Sequence, residues 1–232
     1  MITPPDGKKH VIWVRIAKTG STSTEYTLRD CRAFCTLSLI HLYKPGTHVL
    51  ACDDLNKLEA HGIDVDDCWI FTVVRDPLQR AISSWRGHTS FRESSFIDTL
   101  RNPPKKPRVN LEGPGSIRAK CYRNEGVCHC IRCQDSAWRH FSRTQTEVCT
   151  VDGEFLVDQM IRFENRHADL LALMHRIGLD ASGLPERHDN ASRFHERPVV
   201  GDEEARLVKE LFTDDYETFG FEDPCSKSLK TA

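Results

Sequence analysis

Twice in this chain a short run of β-favouring apolar residues ends in a turn that opens a helix, and that pattern restricts the fold more than any other feature. Val11 to Ile16 reads Val-Ile-Trp-Val-Arg-Ile and passes directly into Ala-Lys-Thr-Gly-Ser-Thr-Ser-Thr, a strand entering a hydroxyl-rich loop. Those hydroxyls suit the cap of a helix running through Glu25, Tyr26, Leu28 and Arg29. The second run is Cys68 to Val74, followed by Arg75-Asp76-Pro77. Asp76 is placed as a helix cap and Pro77 as the first helical residue, where a missing N–H leaves no bond unmade. Leu78, Ala81, Ile82 and Trp85 then share one helical face. Strands alternating with helices predict an α/β layer fold with a parallel sheet.

The remainder fits one domain over residues 1–232. Periodicity fails between 102 and 135, where Asn-Pro-Pro-Lys-Lys-Pro, Glu-Gly-Pro-Gly and a cysteine cluster read as a loop excursion that borders a site. Regular structure is expected to resume with a helix near Ser136 to Thr146 and a strand near Phe155 to Phe163. Two further helices follow, one carrying Leu170, Leu171, Met174 and Ile177 inward, the other, near Asp202 to Phe212, burying Leu207, Val208, Leu211 and Phe212. Hydrophobic residues at 39% and charged residues at 28% exclude a disordered or collagen-like chain, and no apolar run is long enough to span a bilayer. A net charge of −2 argues against a protein that coats nucleic acid, so any polyanion site must be local.

Two segments supply such a site. Lys18-Thr19-Gly20-Ser21-Thr22-Ser23 sets helix N-terminal amides, a glycine, hydroxyls and one lysine around a point where an anion fits. It is not a Walker A loop, because the lysine precedes the glycine and no earlier glycine is present. Without a ligand the same residues are a Ser/Thr-rich helix cap. Arg75 stands at the C-terminal end of a buried strand, the edge where open α/β sheets take ligands, and Ser83 lies off the apolar face of the next helix. An arginine fork with a hydroxyl suits a second phosphate, although Arg-Asp-Pro is also common strand-to-helix punctuation.

Together the segments resemble the 5′-phosphosulfate loop and 3′-phosphate motif of sulfotransferases that use 3′-phosphoadenosine 5′-phosphosulfate (PAPS). The likeness continues in the manner of Golgi carbohydrate sulfotransferases, including the chondroitin and uronyl 2-O-sulfotransferase type. It runs through His140-Phe141, Gln145, Cys149, Ile161-Arg162-Phe163-Glu164-Asn165 and Asp215-Tyr216-Glu217-Thr218-Phe219-Gly220-Phe221, with residues 88–135 least matched. The resemblance implies a P-loop-like three-layer fold with a mainly parallel central sheet flanked by helices. It assigns Lys18, Thr19, Gly20, Ser21, Thr22 and Ser23 to the 5′ side of PAPS, and Arg75 and Ser83 to the 3′-phosphate. It further implies a hydroxyl acceptor, favouring carbohydrate, with Lys18 stabilising the leaving nucleotide and no metal, in a Golgi or secretory lumen; a cytoplasmic location is the alternative. No signal or anchor segment precedes the first strand, so a membrane would be met only through an anchor absent from these residues.

In-line sulfuryl transfer still needs a base. His48, in Pro-Gly-Thr-His-Val-Leu, resembles the catalytic histidine segment of the uronyl 2-O-sulfotransferase branch. Glu25, Asp53 and His41 are alternatives, whereas His129, His140 and His188 read as loop or structural residues. Arg118, Lys120, Arg193 and Arg197 are candidate contacts to the cofactor or an acidic sugar, or solvated surface charge. Ten cysteines, four of them at Cys121, Cys128, Cys130 and Cys133, allow disulfides or a zinc knuckle; the knuckle spacing is poor, and the resemblance favours disulfides. Two other function classes remain, a P-loop nucleotide kinase, which should show Gly-Lys-Ser/Thr and an acidic magnesium partner, and a non-catalytic zinc or nucleic-acid binding module.

Overall fold

A computed structural model describes residues 5–30, 62–106, 131–181, 183–186 and 195–228. Along these residues run β1 (His10–Val14), α1 (Ser21–Asp30), β2 (Cys68–Val74), α2 (Pro77–Gly87), α3 (Phe96–Arg101), α4 (Ile131–His140), α5 (Gln145–Cys149), β3 (Thr150–Val151), β4 (Glu154–Phe155), β5 (Gln159–Arg162), α6 (Arg166–Arg176), α7 (Asp202–Leu211), α8 (Thr213–Phe219) and α9 (Cys225–Ser228). The fold is mixed, with a central three-stranded parallel sheet flanked by helices, as the alternation predicts. The chain divides into two compact units, Met1–Arg75 with Gln145–Asn190, and Asp76–Thr144 with Ala191–Ala232.

The first unit holds the sheet, in the order β1-β2-β5. Every residue of β2 is buried, the pattern of a central parallel strand covered on both faces. The register pairs Val11 with Trp69, Trp13 with Phe71, and Val73 with Ile161. These side chains therefore share a face, and on it pack Leu28 of α1 and Leu170, Leu173 and Met174 of α6. Truncating Phe71, 1% exposed at the centre of this cluster, costs about 3–5 kcal/mol. Thr72 is the one polar residue in β2, and its hydroxyl donates to Val14 O at 2.8 Å, which satisfies it and ties the strand ends together.

The strand expected from Phe155 to Phe163 is divided. Asp152 (φ 50) and Gly153 (φ 86) turn β3 into β4, the left-handed pair that a tight hairpin requires. Asp158 then docks on β2, its carboxylate accepting from Ile70 N at 2.7 Å and its N–H donating to Ile70 O at 2.8 Å. Only after it does β5 begin.

The described part of the second unit is helical. Asp76 caps α2 as expected, accepting from Gln79 N at 2.9 Å with Pro77 in the first turn. Ala81, Ile82 and Trp85 of α2 pack with Phe91, Phe96, Leu100, Ala137, Phe141, Val208, Phe212 and Tyr216. The helix expected over 136–146 is two helices, and the first starts at Ile131, inside the expected 102–135 excursion; from Ile131 the chain has no Gly or Pro to prevent it. The break has a cause in buried Arg80, whose Nη2 donates to Arg143 O at 2.7 Å and so takes a carbonyl that a continuous helix would use itself. No helix among the described residues is long and apolar enough to cross a membrane.

Candidate functional site

The first unit builds the candidate site at the C-terminal ends of β1 and β2. After β1 the chain must reverse before α1, and Thr19 fixes that turn with its hydroxyl on Ile16 O at 3.0 Å. Two loop residues adopt left-handed backbone, Lys18 at φ 68 and Gly20 at φ 76. For a residue with a side chain this costs about 1–2 kcal/mol, and such strain persists where its surroundings hold it. At Gly20 space matters as well as angle. A Cβ there would overlap Arg166 Nη1 and lie 2.7 Å from Phe163 Cε2, so no other residue fits.

Thr24 N donates to Gly20 O at 2.9 Å and closes the first turn of α1. The amides ahead of it have no acceptor within the helix, and they carry the positive end of its dipole. No acidic residue occupies that first turn. The hydroxyl residues Thr19, Ser21, Ser23 and Thr24 are buried there, and Thr24 Oγ1 has no hydrogen-bond partner among the described residues.

Arg75 reaches this loop from the end of β2. Its backbone is clamped by the buried Gln145 amide, which accepts from Arg75 N at 2.9 Å and donates to Arg75 O at 2.8 Å. Arg75 Nη1 donates to Lys18 O at 3.2 Å, and its guanidinium lies 4.1 Å from the Phe163 ring centre. Arg166 sits 5.3 Å from the same ring. Burial, and secondarily the charge of Arg75, hold the Lys18 ammonium well below its usual range, at about 8. The nearby carboxylate of Glu25 is already engaged, at 2.5 Å from Arg15 and 2.6 Å from Arg29. A lysine and an arginine thus meet at a helix N-terminus whose first turn holds no acidic residue, an arrangement of the kind that suits an oxyanion.

Within the first unit the Lys18–Ser23 loop and Arg75 lie together, joined by the bond from Arg75 to Lys18 O. Ser83 lies on α2 in the second unit, half-buried and off that helix's core stripe. With both oxygens of Glu25 on arginines, its standing as an alternative base is weakened. His140 is a helix residue with Nδ1 2.8 Å from Ser136 O, and Arg197 donates to Gln79 Oε1 at 2.8 Å on the second unit's surface. His48, His41, Asp53, Arg118, Lys120, His129, His188, Arg193, Cys121, Cys128 and Cys130 lie outside the described residues, as does the Cys133 side chain. Cys68 is a free thiol, and the described residues contain no group of three metal-binding side chains. Sequence reasoning missed Arg166 and the role of Phe163. The available signal was position, because Arg166 immediately follows the Ile161–Asn165 segment.

A protein-family model described as the sulfotransferase family matches residues 5–222, a stretch that runs through both units. No curated protein and no solved structure matches the chain.

Proposed function

The chain belongs to the sulfotransferase family, and from that membership we propose that it moves the sulfuryl group of PAPS to a hydroxyl of a carbohydrate, with His48 as base. The observation that carries this reading is the meeting of Lys18 and Arg75 at the N-terminus of α1, whose first turn holds no acidic residue. PAPS supplies an activated sulfuryl group and a nucleotide that leaves as adenosine 3′,5′-bisphosphate.

The protein's part is position and potential. The α1 amides and the hydroxyls from Thr19 to Ser23 hold the 5′ side, and Arg75 supports the 3′-phosphate. The Ser83 assignment rests on the motif resemblance, and Ser83→Ala tests it by itself. As the acceptor oxygen bonds to sulfur, the bond from sulfur to the 5′-phosphate oxygen breaks. The acceptor proton passes to His48, and the charge left on the nucleotide is met by protonated Lys18. Removing such a cation lowers kcat by roughly 10²–10³. The nucleotide kinase alternative loses its ground with the family match.

The test is incubation with PAPS carrying labelled sulfate and a panel of glycans and small alcohols. Label should move to a glycan with wild type, and at background rate with Lys18→Ala or His48→Ala. Absence of PAPS binding and of any sulfated acceptor overturns the enzyme reading; full activity in His48→Ala overturns only the base. The same reading places the domain in an oxidising Golgi-type lumen with the cysteines of 121–133 in disulfides. A thiol count before and after reduction, with zinc analysis, checks that.

A further inference from the structure

The ring of Phe163 touches both anion-holding segments of the first unit. Its edge meets Gly20, where a Cβ would lie 2.7 Å from Cε2 and 3.1 Å from Cδ2. Its face carries the Arg75 guanidinium at 4.1 Å from the ring centre. The sheet register explains how it comes to be there. Val74 and Arg162 are partners across β2 and β5, so the residues one step further, Arg75 and Phe163, leave the sheet side by side. Arg166, the first residue of α6 and 6% exposed, brings its Nη1 against Gly20 while its guanidinium lies 5.3 Å from the Phe163 ring centre. One aromatic ring therefore has an arginine from each of two elements over it and the loop glycine at its edge.

We propose that Phe163 and Arg166 are positioning residues, which fix the Lys18–Ser23 loop and Arg75 in one arrangement before a donor arrives. The proposal rests on the donor reading for its consequence in catalysis, and on geometry alone for the arrangement. Phe163 and Arg166 sit behind the loop at Gly20 and act through Gly20 and Arg75. Cation stacking on a desolvated ring restrains a guanidinium that would otherwise sample many rotamers. Gly20, pressed against ring and guanidinium, holds the left-handed turn that orients the following amides.

Two measurements on the full chain separate this proposal from the donor reading. The first needs no nucleotide. The Lys18 amine, at about 8, owes its position to burial and to Arg75, both of which depend on the fixed loop. The pH dependence of Lys18 acylation, read by peptide mass spectrometry, should move toward the ordinary lysine range in Phe163→Leu and in Arg166→Met. It should stay in place in Phe163→Tyr, which keeps the ring. The second is calorimetric binding of adenosine 3′,5′-bisphosphate. Phe163→Leu should weaken it about five- to tenfold in the wild-type background and less than twofold in an Arg75→Ala background, because the ring acts through that arginine. Melting temperature identifies variants that fail to fold, and Arg166→Met carries the acylation test, with Phe163→Tyr as its control, if Phe163→Leu does. An unchanged Lys18 profile in the folded variants, or an equal loss of affinity in both backgrounds, overturns the positioning role. Failure of wild type to bind the nucleotide overturns the donor reading and leaves the acylation result to decide the arrangement.

Discussion

Lys18 works against folding and, in the proposed site, for binding. Its folded value, about 8, is below the 10.5 of a free lysine, with burial as the main cause and Arg75 as the second. Between these values the unfolded chain holds a proton that the folded chain has released, so stability rises with pH across that window. Below about pH 8 both states are protonated and the full penalty applies. Lys18→Met should therefore stabilise the unliganded protein by about 1–3 kcal/mol at pH 7, a gain that fades as pH approaches 10.5 and is checked by urea unfolding at several pH values. The same substitution should weaken nucleotide binding at least about tenfold. In wild type, affinity should fall as pH rises through 8, and binding above that pH should take up a proton, seen as a dependence of calorimetric heat on buffer ionisation. Gly20→Ala meets both a positive φ and an occupied space. It should lose about 1–3 kcal/mol of stability and most donor binding. Lys18, Gly20 and Arg75 were legible because their residue types are tied to anion chemistry. Phe163 and Arg166 were not, since their closeness to Gly20 comes from the β2–β5 register, which the local sequence does not display.

At the scale of elements, caps and apolar stripes read well. Asp76 and Pro77 start α2, and Gly220 (φ 60) ends α8 with its N–H on Tyr216 O at 3.0 Å, as a left-handed glycine cap does. The closing motif owes its residues to this unit's stability. Asp215 and Arg80 form a buried pair 3.9 Å apart, at 0% and 1% side-chain exposure, and Tyr216 and Phe219 are buried beside it. Desolvation lowers the Arg80 value while Asp215 opposes it, so the pair is needed once either member is buried. Asp215→Ala should cost about 3–5 kcal/mol by leaving the guanidinium without its counter-charge. The Arg80→Met/Asp215→Leu pair should cost markedly less, a comparison for denaturant titration. The α4–α5 break was hidden because a distant arginine makes it; no Gly or Pro marks it between Ser136 and Thr146.

For the whole molecule, alternating strands and helices gave the parallel sheet and the edge proposed to take the donor. One family match covers both compact units, even though the residues richest in Pro, Gly and Cys fall outside regular patterns. Those stretches carry little periodicity, which is why acceptor contacts and the base assignment drew on resemblance instead of spacing. The near-neutral charge of the chain fits a proposed site confined to a few groups, while exposed charges pair with each other, as in Arg101–Glu203 and Lys209–Asp223. The claim at the centre is that Lys18 and Arg75 together receive the donor nucleotide. Calorimetric titration of the full chain with adenosine 3′,5′-bisphosphate at pH 7 tests it most directly. One nucleotide should bind per wild-type chain, with affinity at least about tenfold lower in Lys18→Ala and in Arg75→Ala. Absence of binding to wild type, or binding by either variant as tight as that of wild type, would contradict it.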